Sequence, residues 1–167
     1  QAALARSAAF IITASEGGNQ YLPLLRTLPE QFEPLSRERL LAGAMIPAAW
    51  YVQAQRFRRH LQQQVQPLFK AWDILIAPAT PCCATPIGQE SIRINGQDLP
   101  TRASMGMLTQ PISFLGLPVV TVPLTTAGGL PIGVQLIAPP WREDLCLRAA
   151  RALEQQGVVK VDAGIAG

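Results

Sequence analysis

Three short apolar runs, each cut off by proline, decide most of what this chain can fold into. Ile74-Leu75-Ile76-Ala77 stops at Pro78, Val119-Val120-Thr121-Val122 lies between Pro118 and Pro123, and Pro131-Ile132-Gly133-Val134-Gln135-Leu136-Ile137 ends before Pro139-Pro140. Such runs are short for helices and too continuously apolar to alternate, so 73–77, 119–122 and 131–137 read as strands buried on both faces. Thr126-Ala127-Gly128-Gly129-Leu130 between the last two supplies a tight turn, which makes them a hairpin. Ser91 to Asp98, centred on Asn95-Gly96, reads as a small surface hairpin.

Around these strands the periodicity is helical. Leu4, Ala5, Ala8, Ala9, Ile11, Ile12 and Ser15 predict a buried helix over 1–16, with Glu16-Gly17-Gly18-Asn19 as its stop. Pro23, Pro29 and Pro34 fix φ at three places, so 19–35 is expected to be loop. Ser36 is expected to cap a short helix over 37–45. Pro47 is expected to open a longer one reaching about Lys70, with Trp50, Ala54, Phe57, Leu61, Val65, Leu68 and Phe69 on its apolar side. Pro67 should kink that helix or end it early. Glu143 and Asp144 suit the positive end of a last helix closed by Gly157, with Leu145, Ala149, Ala152 and Leu153 toward the sheet. The tail, 158–167, is weakly specified.

Helices mixed with a few very apolar strands make an α/β layered domain, and 167 residues suit one such domain. Three strands are too few for this much helix, so further strands are expected upstream of residue 1. The opening Gln1-Ala2-Ala3-Leu4, with neither initiator Met nor signal pattern, is expected to be a cut inside a longer protein.

Composition removes several function classes. No apolar run approaches the roughly 18 residues of a membrane span. The net charge is +3, but Arg37, Arg39, Arg56, Arg58 and Arg59 are interleaved with apolar helix positions. That pattern marks a solvated helix face and argues against a nucleic-acid partner. Cys82, Cys83 and Cys146 cannot all pair within the chain and fit a reducing cytoplasm.

The chemical inventory is thin. His60, the sole histidine, sits in the Arg-rich face of the long helix. Adjacent Cys82 and Cys83 point in different directions and lack a neighbouring His, so no metal is expected; with no base nearby to lower a thiol pKa, they read as small buried residues after a strand. Gly116, Gly128 and Gly129 form no phosphate-cradling spacing, and no cofactor is implied. Lys70 and Lys160 are the only lysines. Taken alone, the chain contains no complete active site.

Three ordered segments nevertheless resemble the amidase signature family. Trp72-Asp73-Ile74-Leu75-Ile76-Ala77-Pro78-Ala79-Thr80-Pro81 is similar to its D-(apolar)₃-x-P-(T/A)-T-P segment. Gln110 to Pro123 is similar to its N-x-x-G-x-P-x-x-x-x-P segment, and Gly129 to Ile137 to its G-L-P-(apolar)-G-(apolar)-Q strand. With the long helix before them and the terminal helix after, they cover nearly the whole chain. Arg102 to Ser113 and Pro139 to Leu145 look most like the 1-carboxybiuret hydrolase group of that family.

The resemblance implies a layered α/β/α fold around a mixed sheet, with 1–167 as the C-terminal part of a single domain. It implies hydrolysis of a small linear amide or ureide, such as 1-carboxybiuret, by a Lys/cis-Ser/Ser triad that belongs to the N-terminal half. No catalytic residue is then expected in this chain, which alone should be inactive. The missing half of the domain is the implied partner, beside a homodimer mate or a small helical subunit. Two rivals remain at this point: the A subunit of a glutamine-dependent tRNA amidotransferase, and a non-catalytic binding or assembly fragment.

What this part can contribute is selectivity. The prolines at 78, 81 and 86 fix a loop that places Thr80 and Cys82 to line a pocket. Arg102 could clamp a substrate carboxylate bidentately or be a solvated helix-start arginine. Gln110, held extended before Pro111, could bond a ureido group or merely satisfy loop backbone, and Thr109 shares that ambiguity. Arg142 is a cation at the positive end of a helix, so it should have a partner, either its acidic neighbours or an anionic ligand.

Overall fold

Glycine in the middle of the first helical pattern does not stop it. The computed structural model describes residues 1–126 and 129–159, and α1 runs through Ala2–Thr27, straight across the predicted stop and into the predicted loop. The reason is α2, Pro34–Ala44, which folds back along it. A Cβ on Gly18 would lie 2.7 Å from the Gly43 carbonyl carbon and against the Ala44 nitrogen, and one on Gly43 would strike the Ala14 carbonyl. Glycine here lets two helix backbones touch, a requirement that resembles a terminator when residues are read one at a time. Pro23 removes one backbone bond, yet Gly18 and Leu25 on either side of it are buried and the helix continues.

The start of α2 also differs from expectation. Glu33, not Ser36, caps it: its carboxylate accepts from the Leu35 and Ser36 amides at 3.2 and 2.8 Å, and Pro34 occupies the first turn. Arg39 reaches back over the Phe10 ring, 5.1 Å from its centroid, and donates to Thr13 Oγ1 at 2.8 Å. α3, Ala48–Val65, gives way at Pro67 to a 3₁₀ segment, Gln66–Lys70, as the proline predicts. Its buried positions are Ala54 and Leu61, a heptad apart, whereas Trp50 and Leu68, both on the expected apolar side, are exposed.

The chain divides into two compact units, Gln1–Gln64 and Val65–Gly167. In the second, β1 (Leu75–Pro78), β4 (Val119–Thr125) and β5 (Pro131–Ile137) form a sheet in the order β1-β5-β4. Both pairings are antiparallel, with Leu75 and Val119 opposite Ile137, and Pro78 and Val122 opposite Val134. The expected hairpin is present, although Ala127 and Gly128 of its turn lie outside the described residues. β1 departs from the expectation of burial on both faces. Among the described residues it lies at the edge of the sheet, and Ile76 is 70% exposed.

α6, Glu143–Gln155, covers one face of the sheet. Val122, Leu136 and Val159 form its core with Ala149, Ala150 and Leu153 packed against them. Ala152, expected to face the sheet, is exposed; the place belongs to Cys146, 1% exposed, whose Sγ contacts the Leu136 carbonyl at 3.3 Å. Gly157 beyond the helix has φ 69°. Of the weakly specified tail, Val159 joins the core, and 160–167 lie outside the described residues.

β2 (Ser91–Ile94) and β3 (Gln97–Pro100) make the predicted small hairpin. Asn95 and Gly96 take φ of 50° and 80°, the left-handed pair that a two-residue turn requires. A single turn of helix, α4 (Thr101–Ser104), follows, and then α5 (Gln110–Leu115). Among the described residues no helix is long and apolar enough to cross a membrane.

Candidate functional site

On the sheet face away from α6, three segments converge. The first leaves β1: Ala79 donates its amide to the Gly133 carbonyl at 2.8 Å. Gly133 makes that approach possible, because a Cβ there would sit 2.9 Å from Ala79 Cβ and 2.8 Å from Thr121 Cγ2. Thr80 Oγ1 then donates to the Cys82 carbonyl at 2.8 Å and closes the turn that aims Cys82.

The second segment is the turn from Met105 to Thr109. Cys82 Sγ meets Met105 Sδ at 3.8 Å, Thr109 Oγ1 donates to the Gly106 carbonyl at 3.2 Å, and the Gln110 amide donates to the same carbonyl at 2.9 Å. Gln110 is therefore the first residue of α5 rather than extended. The turn is already wound before Pro111, and a proline in the first helical turn lacks only an N–H that has no intrahelical partner.

The third is β5 itself. Gln135, 2% exposed, donates from Nε2 to the Pro78 carbonyl at 2.8 Å and to the Leu108 carbonyl at 3.4 Å. Thr80, Cys82, Thr109 and Gln110 thus belong to two segments held side by side, all four half-buried. Arg102 stands exposed in α4, three residues before Met105.

Arg142 is not with them. It follows β5 beyond Ile137 and feels the charge of Asp73, which precedes β1, whereas Thr80 follows the end of β1. The length of that strand, about 13 Å, separates the two positions. The partner expected for Arg142 is Asp144: Nε and Nη2 donate to its two oxygens at 2.8 and 3.0 Å.

That pair shifts both groups. Hydrogen bonding to Asp144, and then its charge, raises the guanidinium above its ordinary range, and the same bond holds the Asp144 carboxyl below its own. A folded carboxyl pKa below the unfolded one gives stability that is present at neutral pH and lost as pH falls through the folded value. Asp144→Asn should therefore melt below the wild type at pH 7, and the gap should narrow as pH falls and the Asp144 carboxylate takes up its proton. A gap that persists at acid pH would mean that the carboxylate acts otherwise.

The remaining chemistry-bearing residues lie elsewhere. Cys83 turns away from Cys82, its Sγ 3.9 Å from Thr126 Oγ1 and 3.8 Å from the Leu130 carbonyl. Burial pushes the Cys146 thiol up. His60 bonds Gln64 at 3.0 Å on the exposed side of α3. Among the described residues no group of three or more His, Cys, Asp or Glu could hold a metal.

A model of the family described as Amidase matches residues 3–147. The chain belongs to the Amidase family. The chain is 55% identical over 163 residues to AtzE, the 1-carboxybiuret hydrolase subunit of Pseudomonas sp. (strain ADP), covering 96% of the chain and 35% of that relative. It is 33% identical over 148 residues to the A subunit of the glutamyl-tRNA(Gln) amidotransferase of Zymomonas mobilis, covering 84% of the chain and 29% of the relative. Among solved structures it superposes, with a TM-score of 0.91 and 53% identity, on an inhibitor-bound vestigial protein complex that reveals the evolutionary origins of an s-triazine catabolic enzyme. That match covers 98% of the chain and 36% of its counterpart. The chain thus spans about a third of the length of the relatives it matches, and its fold is that of the C-terminal part of amidase signature enzymes.

Reading by residue type misses Met105, Gly133 and Gln135 as parts of the site. For Gln135 a signal is present: one amide in the middle of an otherwise apolar strand, where an unpartnered polar group is costly.

Proposed function

We propose that this chain is the C-terminal part of a single-domain amidase signature hydrolase that cleaves the C–N bond of a small linear amide or ureide, with 1-carboxybiuret as the candidate substrate. The observation that carries this reading is 55% identity to a 1-carboxybiuret hydrolase subunit over 96% of the chain. Both compact units belong to that domain, and the Lys/Ser/Ser triad belongs to the remainder of it. The nucleophilic serine attacks the carbonyl carbon as its hydroxyl proton passes to the amide nitrogen, the C–N bond breaks to release ammonia, and water cleaves the resulting acyl-serine to the acid and the free hydroxyl.

This part supplies the pocket wall. Thr80 and Thr109, whose hydroxyl protons go to the Cys82 and Gly106 carbonyls, offer acceptor oxygens, Gln110 an amide for a ureido group, and Cys82 a polarisable apolar surface. Of the two arginines proposed for a substrate carboxylate, Arg102 lies three residues before Met105 of the wall, whereas Arg142 lies about a strand's length away from it. We assign the carboxylate to Arg102. The free cysteines suit a cytoplasmic setting, and the protein complex that contains the solved relative supports assembly with a further protein chain.

The test is substrate choice by the full-length enzyme. Ammonia release from 1-carboxybiuret should greatly exceed release from glutamine; the reverse order would favour the amidotransferase reading, supported by the weaker 33% identity. Arg102→Ala should raise KM for the carboxylated substrate about tenfold or more over that for neutral biuret, the loss of one charge-assisted bond. Arg142→Ala should leave that ratio unchanged.

A further inference from the structure

Gln135 is out of keeping with its surroundings. It sits mid-strand between Val134 and Leu136, its side chain almost wholly removed from water. A buried amide is tolerated only when its hydrogen bonds are made. Its Nε2 makes them to two carbonyls from different segments, Pro78 at 2.8 Å and Leu108 at 3.4 Å.

Their positions give the arrangement its meaning. Pro78 ends β1, and Thr80 comes two residues later. Leu108 lies in the turn between α4 and α5, and Thr109 and Gln110 follow it directly. The Cys82–Met105 contact crosses the same seam, but a thiol against a thioether is soft and weakly directional. The amide is the directional link.

We propose that Gln135 is a positioning residue, whose side-chain amide holds the Thr80–Cys82 wall in register with the Thr109–Gln110 corner. Its consequence for catalysis rests on the amide-hydrolase reading above; the clip itself does not. Gly133 complements it by admitting Ala79 to the sheet surface one side-chain position away on the same face.

Two variants isolate the hydrogen bonds. Gln135→Glu keeps the shape but turns oxygens toward both carbonyls, and Gln135→Met keeps the length without a polar atom. The 167-residue chain is treated with iodoacetamide, and each cysteine is followed separately by mass spectrometry of fragmented peptides. Cys82 reports the seam, while Cys146, 1% exposed, reports opening of the whole unit. Cys82 should be alkylated about tenfold faster in both variants, the factor that one typical lost hydrogen bond allows, with Cys146 as slow as in the wild type. An unchanged Cys82 rate overturns the proposal. So does a parallel rise of Cys82 and Cys146, which would make Gln135 an ordinary core residue. Should the buried carboxylate of Gln135→Glu open the unit by itself, Gln135→Met decides.

In the full-length enzyme, Gln135→Met should raise KM about tenfold and leave kcat within about twofold, the pattern of misplaced binding groups. A fall in kcat at constant KM would contradict a positioning role in the wall. If the wild-type enzyme shows no amide hydrolysis, the hydrolase reading fails while the alkylation result stands.

Discussion

Gly43→Ala is expected to open the α1–α2 hairpin, and Gly17→Ala to leave it standing. Both add one methyl group to a helix, where alanine is favoured over glycine by up to about 1 kcal/mol. At Gly17 the new carbon meets only Leu40 Cδ2, at 2.9 Å, the end of a side chain that can change rotamer. The net effect should lie between neutral and about 1 kcal/mol stabilising. At Gly43 the carbon would land on the Ala14 backbone carbonyl, which cannot move without moving α1. Overpacking of this kind costs about 1–3 kcal/mol and more where backbone must shift, so the loss outweighs the gain in propensity. Urea unfolding followed by helical circular dichroism should give a lower midpoint for Gly43→Ala and an equal or higher one for Gly17→Ala. Equal midpoints would mean that the helices do not pack through their glycines.

The same glycines show where sequence reading falls short. A glycine pair ends a helix when it caps it and permits a close crossing when a second helix lies against it, and only the fold separates the two cases. Ser36 is a sound cap by type, but Glu33 three residues earlier accepts two amides and leaves Pro34 in the first turn. Elements whose signals are local and doubled are legible: Asn95-Gly96 between two short strands, Pro67 ending α3, and Glu143-Asp144 opening α6. The paired strands β4 and β5 are legible because proline bounds them and a glycine turn joins them.

The candidate site divides along the same line. Thr80, Cys82, Thr109 and Gln110 stand out by residue type and loop position, and folding brings their segments together. Arg142 stands out by its unfavourable place at a helix start, and the structure answers with Asp144 two residues away. Gln135 carries a local signal, one amide in an apolar strand, but its partners do not follow from it: they are two carbonyls 57 and 27 residues distant. No local pattern encodes that distance.

On the proposed reading the largest effect is catalytic, since a pocket wall without its nucleophile should do nothing. The decisive measurement is ammonia release from 1-carboxybiuret by the purified 167-residue chain, alone and joined to the N-terminal two-thirds of its 55% identical relative. The chain alone should not exceed the uncatalysed rate, and the joined protein should surpass it by about a millionfold or more, the lower end of enzymatic acceleration. Hydrolysis by the chain alone, or a folded joined protein that remains inert, would contradict the assignment of this chain as the wall of an amidase whose triad lies elsewhere.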